Sequence, residues 1–149
     1  MQAHSNNFKY PEAFTLLLSK YGKDSDKKIF ASLNRGKAIL HNDDQLSQYL
    51  YSYGKMHHGK LQYAYIELFK DLIRNPQFNN SAQIEIIDYG CGQGIASFIL
   101  MNELNNIEFP IENISKITLI EPSKIALKRA GSKAKGSTMY VSLEPCFHN

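Results

Sequence analysis

Cysteine is nearly absent from this chain: Cys91 and Cys146 are the only two among 149 residues. That is too few for a disulfide framework, and neither has a second cysteine two to four residues away, which excludes a paired-cysteine metal knuckle. Long hydrophobic runs are missing too. No stretch of about 18 apolar residues exists, so no membrane partner is expected. The first residues, Met1 to Asn7, lack the basic segment and apolar stretch of a secretory signal. A reducing, cytoplasmic location is the expectation from these absences. Excess charge is also small, at +3, with lysines mildly concentrated at residues 23–28 and 124–135. This is weak ground for a nucleic-acid partner, and a solvated surface accounts for it. With 43% hydrophobic and 21% charged residues, the composition is that of an ordinary globular protein with a sizeable core.

What is present divides the chain into three parts, read as a helical region at 1–80, a ligand-binding half domain at 81–130 and a tail at 131–149. Residues 11–75 read as helical. Pro11 suits a first turn, and Phe14, Leu17, Leu18 and Tyr21 recur at helical spacing. Asn42-Asp43-Asp44 is a start signal for a helix carrying Leu46, Leu50 and Tyr53, which Gly54 is expected to interrupt. Leu61, Tyr65, Leu68, Phe69 and Leu72 form a further apolar stripe, ending near Asn75-Pro76. The adjacent histidines His57 and His58 invite a metal reading. Neighbouring helical residues point about 100° apart, however, and a polar helix terminus explains them better.

Turn chemistry at residues 75–81 gives way to the β-branched run Ile84 to Tyr89, read as a buried strand. Gly90 to Gly94 form a loop, followed by a helix through Ile95, Phe98, Ile99, Met101 and Leu104. A polar stretch from Asn105 to Ser115 reads as a surface loop. The strand Ile117 to Ile120 then leads through Glu121-Pro122-Ser123 into a helix at Ile125, Ala126, Leu127 and Ala130. Alternation of strand and helix predicts an α/β fold with a parallel sheet and a right-handed crossover. Both strand ends, with the glycine loop and Glu121, should share one sheet edge.

The loop Asp88-Tyr89-Gly90-Cys91-Gly92-Gln93-Gly94 carries the chemistry. Alternate glycines permit positive φ in a sharp strand-to-helix turn and let the backbone approach a ligand lying over the strand end. The following helix directs free N–H groups and its positive dipole end there. A Walker loop would end in Gly-Lys-Ser/Thr, whereas this one continues Gly94-Ile95-Ala96, so that reading fails. A dinucleotide fingerprint would place glycine or alanine where Ile95 stands, which disfavours it and leaves it as the alternative.

The pattern Asp88-x-Gly90-x-Gly92-x-Gly94 resembles the first motif of class I S-adenosylmethionine-dependent methyltransferases. The resemblance implies a Rossmann-like sheet of which this chain holds the N-terminal helical region and the first strand-helix-strand-helix, truncated before the substrate half. It implies S-adenosylmethionine as cofactor, bound by Asp88, Tyr89, Gly90, Cys91, Gly92, Gln93 and Gly94. Glu121, at the end of the next strand, would take the ribose hydroxyls. No catalytic residue is assigned and the methyl acceptor is not readable. Incomplete, weak or absent turnover is the expectation.

The tail carries a second resemblance. Tyr140-Val141-Ser142-Leu143-Glu144-Pro145-Cys146 is similar to a zinc-site segment of the deaminase domain in riboflavin-biosynthesis deaminase/reductase enzymes, where Cys146 would match a zinc ligand. Such a site also needs a His-x-Glu motif and a further cysteine. No histidine here is followed two residues later by glutamate. The alternative functions are therefore a fragment of a zinc-dependent deaminase or a non-catalytic nucleotide-binding module. Two resemblances in one chain suggest a joined or truncated product whose tail, beyond about residue 131, packs poorly and binds no metal.

Overall fold

The structure, a computed structural model, describes residues 12–22, 26–73, 83–131 and 138–140. It is an α/β architecture in which an N-terminal helical region packs beside a small parallel sheet. The helical region holds α1 (Glu12–Tyr21), α2 (Lys27–Ser32), a 3-10 turn (Asn34–Gly36) and α3 (Asp43–Ile73). The sheet region alternates β1 (Ile84–Tyr89), α4 (Ile95–Asn106), β2 (Ile114–Ile120), α5 (Lys124–Gly131) and β3 (Thr138–Tyr140). The strand order is β1-β2-β3, all parallel.

Local chemistry explains the helix starts. Asp26 caps α2, its carboxylate accepting from the N–H groups of Lys28 and Ile29 at 2.8 and 3.1 Å. Asn42 does the same for α3 through Gln45 N–H at 2.9 Å, and Asp43 and Asp44 add acidic charge to that first turn. Phe14, Leu17 and Leu50 join Ile95 and Ile99 in one apolar cluster, so α1 and α3 are tied to α4 by burial. At about 25 cal/mol per Å², fully burying each such side chain contributes roughly 1.5–3 kcal/mol.

Three expectations are corrected by packing. Gly54 does not interrupt α3, which runs unbroken for 31 residues. A Cβ at Gly54 would lie 3.1 Å from Leu50 Cδ1 and 3.2 Å from Leu18 Cδ2, so the glycine serves the close approach of α1. His57 and His58 consequently sit in mid-helix and not at a terminus. His58 is 1% exposed and lies against the Phe14 ring at 4.3 Å. The stretch 105–115 is no simple surface loop: Phe109 is buried with Leu104 and Phe69, a 3-10 turn spans Ile111–Asn113, and β2 begins at Ile114. The register shifts between Ile84 and Glu85, where Ser115 is the extra residue on β2.

Two further differences concern the apolar faces and the tail. Leu68, expected on the buried stripe, is 47% exposed, while Phe69 is 4% exposed. Beyond residue 131 the expectation was poor packing. Thr138–Tyr140 instead pair with Thr118, Leu119 and Ile120 as β3. Pro11, Asn75-Pro76, Val141 to Leu143 and Cys146 lie outside the described residues.

Candidate functional site

The ends of β1 and β2 are adjacent because the strands pair from Glu85↔Lys116 to Tyr89↔Ile120. This brings the glycine loop and Glu121 to one sheet edge. Gly90, Gly92 and Gly94 all have positive φ, at 71°, 52° and 75°, which glycine adopts at little cost. A Cβ at Gly90 or Gly92 would meet nothing within 4 Å, whereas one at Gly94 would lie 3.0 Å from Ala130 Cβ. The first two glycines thus face open space, and the third lets α5 come close.

The loop is held by its own acceptors. The Ile120 carbonyl accepts from the N–H groups of Gly90 and Cys91 at 2.8 and 3.1 Å, and the Cys91 carbonyl accepts from Gly94 N–H at 2.8 Å. Glu121 is buried and accepts from Gly92 N–H at 2.8 Å and Ser123 N–H at 2.9 Å. Asp88 is turned to α4, where its Oδ2 accepts from the Ser97 hydroxyl at 2.6 Å and the Ser97 N–H at 3.2 Å. That is a charged acceptor at the helix N-terminus, where dipole and free N–H groups favour it.

Between the loop and the helical region lies a cavity of about 430 Å³, within the range of roughly 300–1,000 Å³ common for small-molecule sites. Tyr89, Gly90, Gly92 and Gln93 form its sheet side with Ile120, Glu121 and Pro122. Gly36 to Leu40, Tyr49 and Ala126 close the other side. Of the residues singled out from sequence, Tyr89, Gly90, Gly92, Gln93 and Glu121 therefore line one cavity. Asp88, Cys91 and Gly94 lie behind it. Cys91 packs on Leu119, Leu127 and Ala130, and burial, with the nearby Asp88 and Glu121 charges, pushes its thiol up to about 12. It is an unreactive core group at neutral pH.

The wall from residues 36–40 and Tyr49 escaped sequence reasoning, since it is far away in the chain and carries no motif. Ser123 hydroxyl donates to the Leu40 carbonyl at 2.5 Å, fixing that wall to the β2–α5 turn. Gln93 is 3% exposed; its amide donates to the Leu46 carbonyl at 2.8 Å and accepts from Arg129 at 3.0 Å. Arg129 also pairs with Asp43 at 2.7 Å and lies over the Tyr21 ring at 5.1 Å. Asp43 is 85% exposed, so that ion pair alone contributes little. Tyr49 hydroxyl lies 3.2 Å from His57 Nε2, and burial, then Tyr53 and Glu121, push the phenol above its ordinary range.

Among the described residues, no group of three or more His, Cys, Asp or Glu is arranged to hold a metal ion, and no helix is long and apolar enough to cross a membrane. A scan against protein-family models, a search of curated proteins and a search of solved structures each return no match for this chain.

Proposed function

We propose that the cavity binds S-adenosylmethionine, and that the chain is the cofactor-binding portion of a class I methyltransferase. The observation that carries this reading is the pairing of two open glycines, Gly90 and Gly92, with the Glu121 carboxylate at the end of the neighbouring strand, on one cavity of about 430 Å³. Open space above a glycine backbone lets a flat or extended ligand lie in contact with it, and a carboxylate beside it suits a ribose diol, which offers two O–H donors.

The same geometry weighs against a dinucleotide. A pyrophosphate would need the loop N–H groups, yet those of Gly90, Cys91, Gly92 and Gly94 are donated internally. Glu121 moreover places a carboxylate against Gly92 N–H, where a phosphate would be repelled. Asp88 supports the site indirectly, by holding Ser97 and so the start of α4 against the loop. Class I methyl transfer is an in-line attack on the sulfonium methyl, driven largely by placement of the acceptor. No residue of this chain is assigned to that placement.

Calorimetric titration with S-adenosylmethionine and its demethylated product, beside NAD, tests the reading. Binding of the first two, weakened in Asp88→Ala and Glu121→Ala, is the expected outcome. Each charge-assisted bond lost to ribose should cost about 1.5–3 kcal/mol at most. Binding of NAD alone would overturn it.

A further inference from the structure

Among the residues that close the helical side of the cavity, Tyr49 alone has a side chain able both to donate and to accept a hydrogen bond. Its ring is held from more than one direction. A Cβ at Gly36, whose φ is 84°, would lie 3.5 Å from Tyr49 Cε2 and 3.7 Å from Tyr53 Cε2, so the glycine lets the wall close on both rings. Tyr49, Tyr53 and His57 follow one another at intervals of four on α3 and therefore share a face. The Tyr49 and Tyr53 ring centroids are 5.1 Å apart, and the His57 imidazole lies nearly parallel to the Tyr49 ring, at 12° and 6.0 Å. The phenol oxygen is 3.2 Å from His57 Nε2. It is also close enough to Glu121 that this charge, after burial and Tyr53, raises the phenol. One hydroxyl thus joins a half-buried imidazole to the cavity that holds the Glu121 carboxylate.

We propose that Tyr49 contacts the bound ligand and that His57 positions its hydroxyl, so that the wall accepts a hydrogen bond from a ligand O–H or N–H while His57 is neutral. This rests on the S-adenosyl reading of the cavity, because ribose and adenine supply such donors. A hydroxyl hydrogen rotates to suit its partner. A neutral imidazole with no hydrogen on Nε2 accepts from the phenol, which leaves lone pairs of the Tyr49 oxygen for the cavity. An imidazolium carries hydrogen on both ring nitrogens. At 3.2 Å Nε2 then donates to the Tyr49 oxygen, and the phenol hydrogen turns away from His57. The wall now sets a donor against the ligand's donors, and that contact is lost. The groups facing the pair are Tyr53 and Lys60 on α3, Glu121 after β2 and Lys37 on the cavity wall. Burial, then Lys60, holds the imidazole below its ordinary 6.5. The accepting arrangement is therefore the one present at neutral pH, and the change falls on the acid side of 6.5.

Calorimetric titration of the full chain with S-adenosylhomocysteine from about pH 7.5 to pH 5 tests it, in the parent, Tyr49→Phe and His57→Gln, with melting temperatures confirming that each chain is folded. That ligand carries no sulfonium charge, so simple repulsion by an imidazolium does not imitate the effect. The parent should bind about three- to tenfold more weakly at the acid end, the worth of one hydrogen bond. Tyr49→Phe should show that loss already at pH 7.5 and a flat profile. His57→Gln keeps a neutral acceptor behind the phenol and should bind like the parent at pH 7.5 and stay level on acidification. By reciprocity, saturating ligand should move the His57 midpoint, followed by NMR, down by about half a pH unit to one unit. A parent that binds with a flat or rising affinity on acidification overturns this proposal and leaves the S-adenosyl reading standing. So does a slope that survives in His57→Gln, or Tyr49→Phe binding as the parent does. A folded parent that takes up no S-adenosylhomocysteine at pH 7.5 overturns the S-adenosyl reading, and this proposal falls with it.

Discussion

Replacing Glu121 by alanine separates a structural role from a surface charge. The carboxylate is the acceptor for two backbone N–H groups, those of Gly92 and Ser123, at 2.8 and 2.9 Å. A hydrogen bond to a charged group contributes about 1.5–3 kcal/mol, but the two losses are unequal. Gly92 borders the cavity, so water replaces its acceptor at little cost. Ser123 is 2% exposed and its N–H is left dry. The expected destabilisation is about 2 kcal/mol, most of it from Ser123. For a chain of this length that lowers the melting temperature by about 4–8 °C. Glu121→Gln keeps one acceptor oxygen and should lose roughly half as much. Scanning calorimetry gives the first number, and amide exchange at Gly92 and Ser123 shows where the loss falls. A Glu121→Ala chain that melts with the parent, with both amides as protected as before, would refute the assignment of Glu121 as the loop's acceptor.

Gly94→Ala combines positive φ with a 3.0 Å approach to Ala130 Cβ and should cost about 2 kcal/mol or more in a denaturant titration. Gly90→Ala meets no neighbour and should cost about 1 kcal/mol of stability, its larger effect being on ligand binding. Cys91, its thiol raised to about 12 by burial and adjacent carboxylates, should resist iodoacetamide in the folded chain at mildly alkaline pH and react on unfolding, as read by peptide mass spectrometry. Burial pushes the His57 and His58 imidazoles below the ordinary 6.5, with Lys60 adding to the effect at His57 and Glu103 opposing it at His58. Below that pH the unfolded chain binds more protons than the folded one, so melting temperature should fall with acidification between about pH 7 and pH 5, and less steeply in His58→Gln.

Much of the sheet was legible because it is local. Ile84 to Tyr89 is bounded by turn residues and glycine, and the strand occupies those residues, but it is not the buried strand expected: half-buried and exposed residues alternate along it, with Ile87 and Tyr89 exposed. β2 was read three residues short, since Ile114-Ser115-Lys116 interrupts the apolar run and holds the register shift. The helical region was legible in type but not in its joints. Gly54 looks like a break in sequence and is a contact point in space. At the site, the glycines and Glu121 could be found because a motif fixes them. Gln93 belongs to that motif, yet its partners Leu46 and Arg129 are 47 and 36 residues away. Tyr49 and the 36–40 wall follow only from how α3 packs.

The length of α3 has a mechanical consequence. Thirty-one residues at a rise of 1.5 Å each make a rod of about 46 Å. Near one end the Leu46 carbonyl is held by Gln93; further along, Gln62 donates to the buried Glu103 at 2.7 Å, and Phe69 packs on Leu104 and Phe109. A rod pinned at three stations along its length transmits torque. If α3 moves as a rigid body, a shift of its first turn on displacement of Gln93 also moves the Glu103 and Phe109 stations, and a fluorescent reporter beside Phe109 tests whether it does.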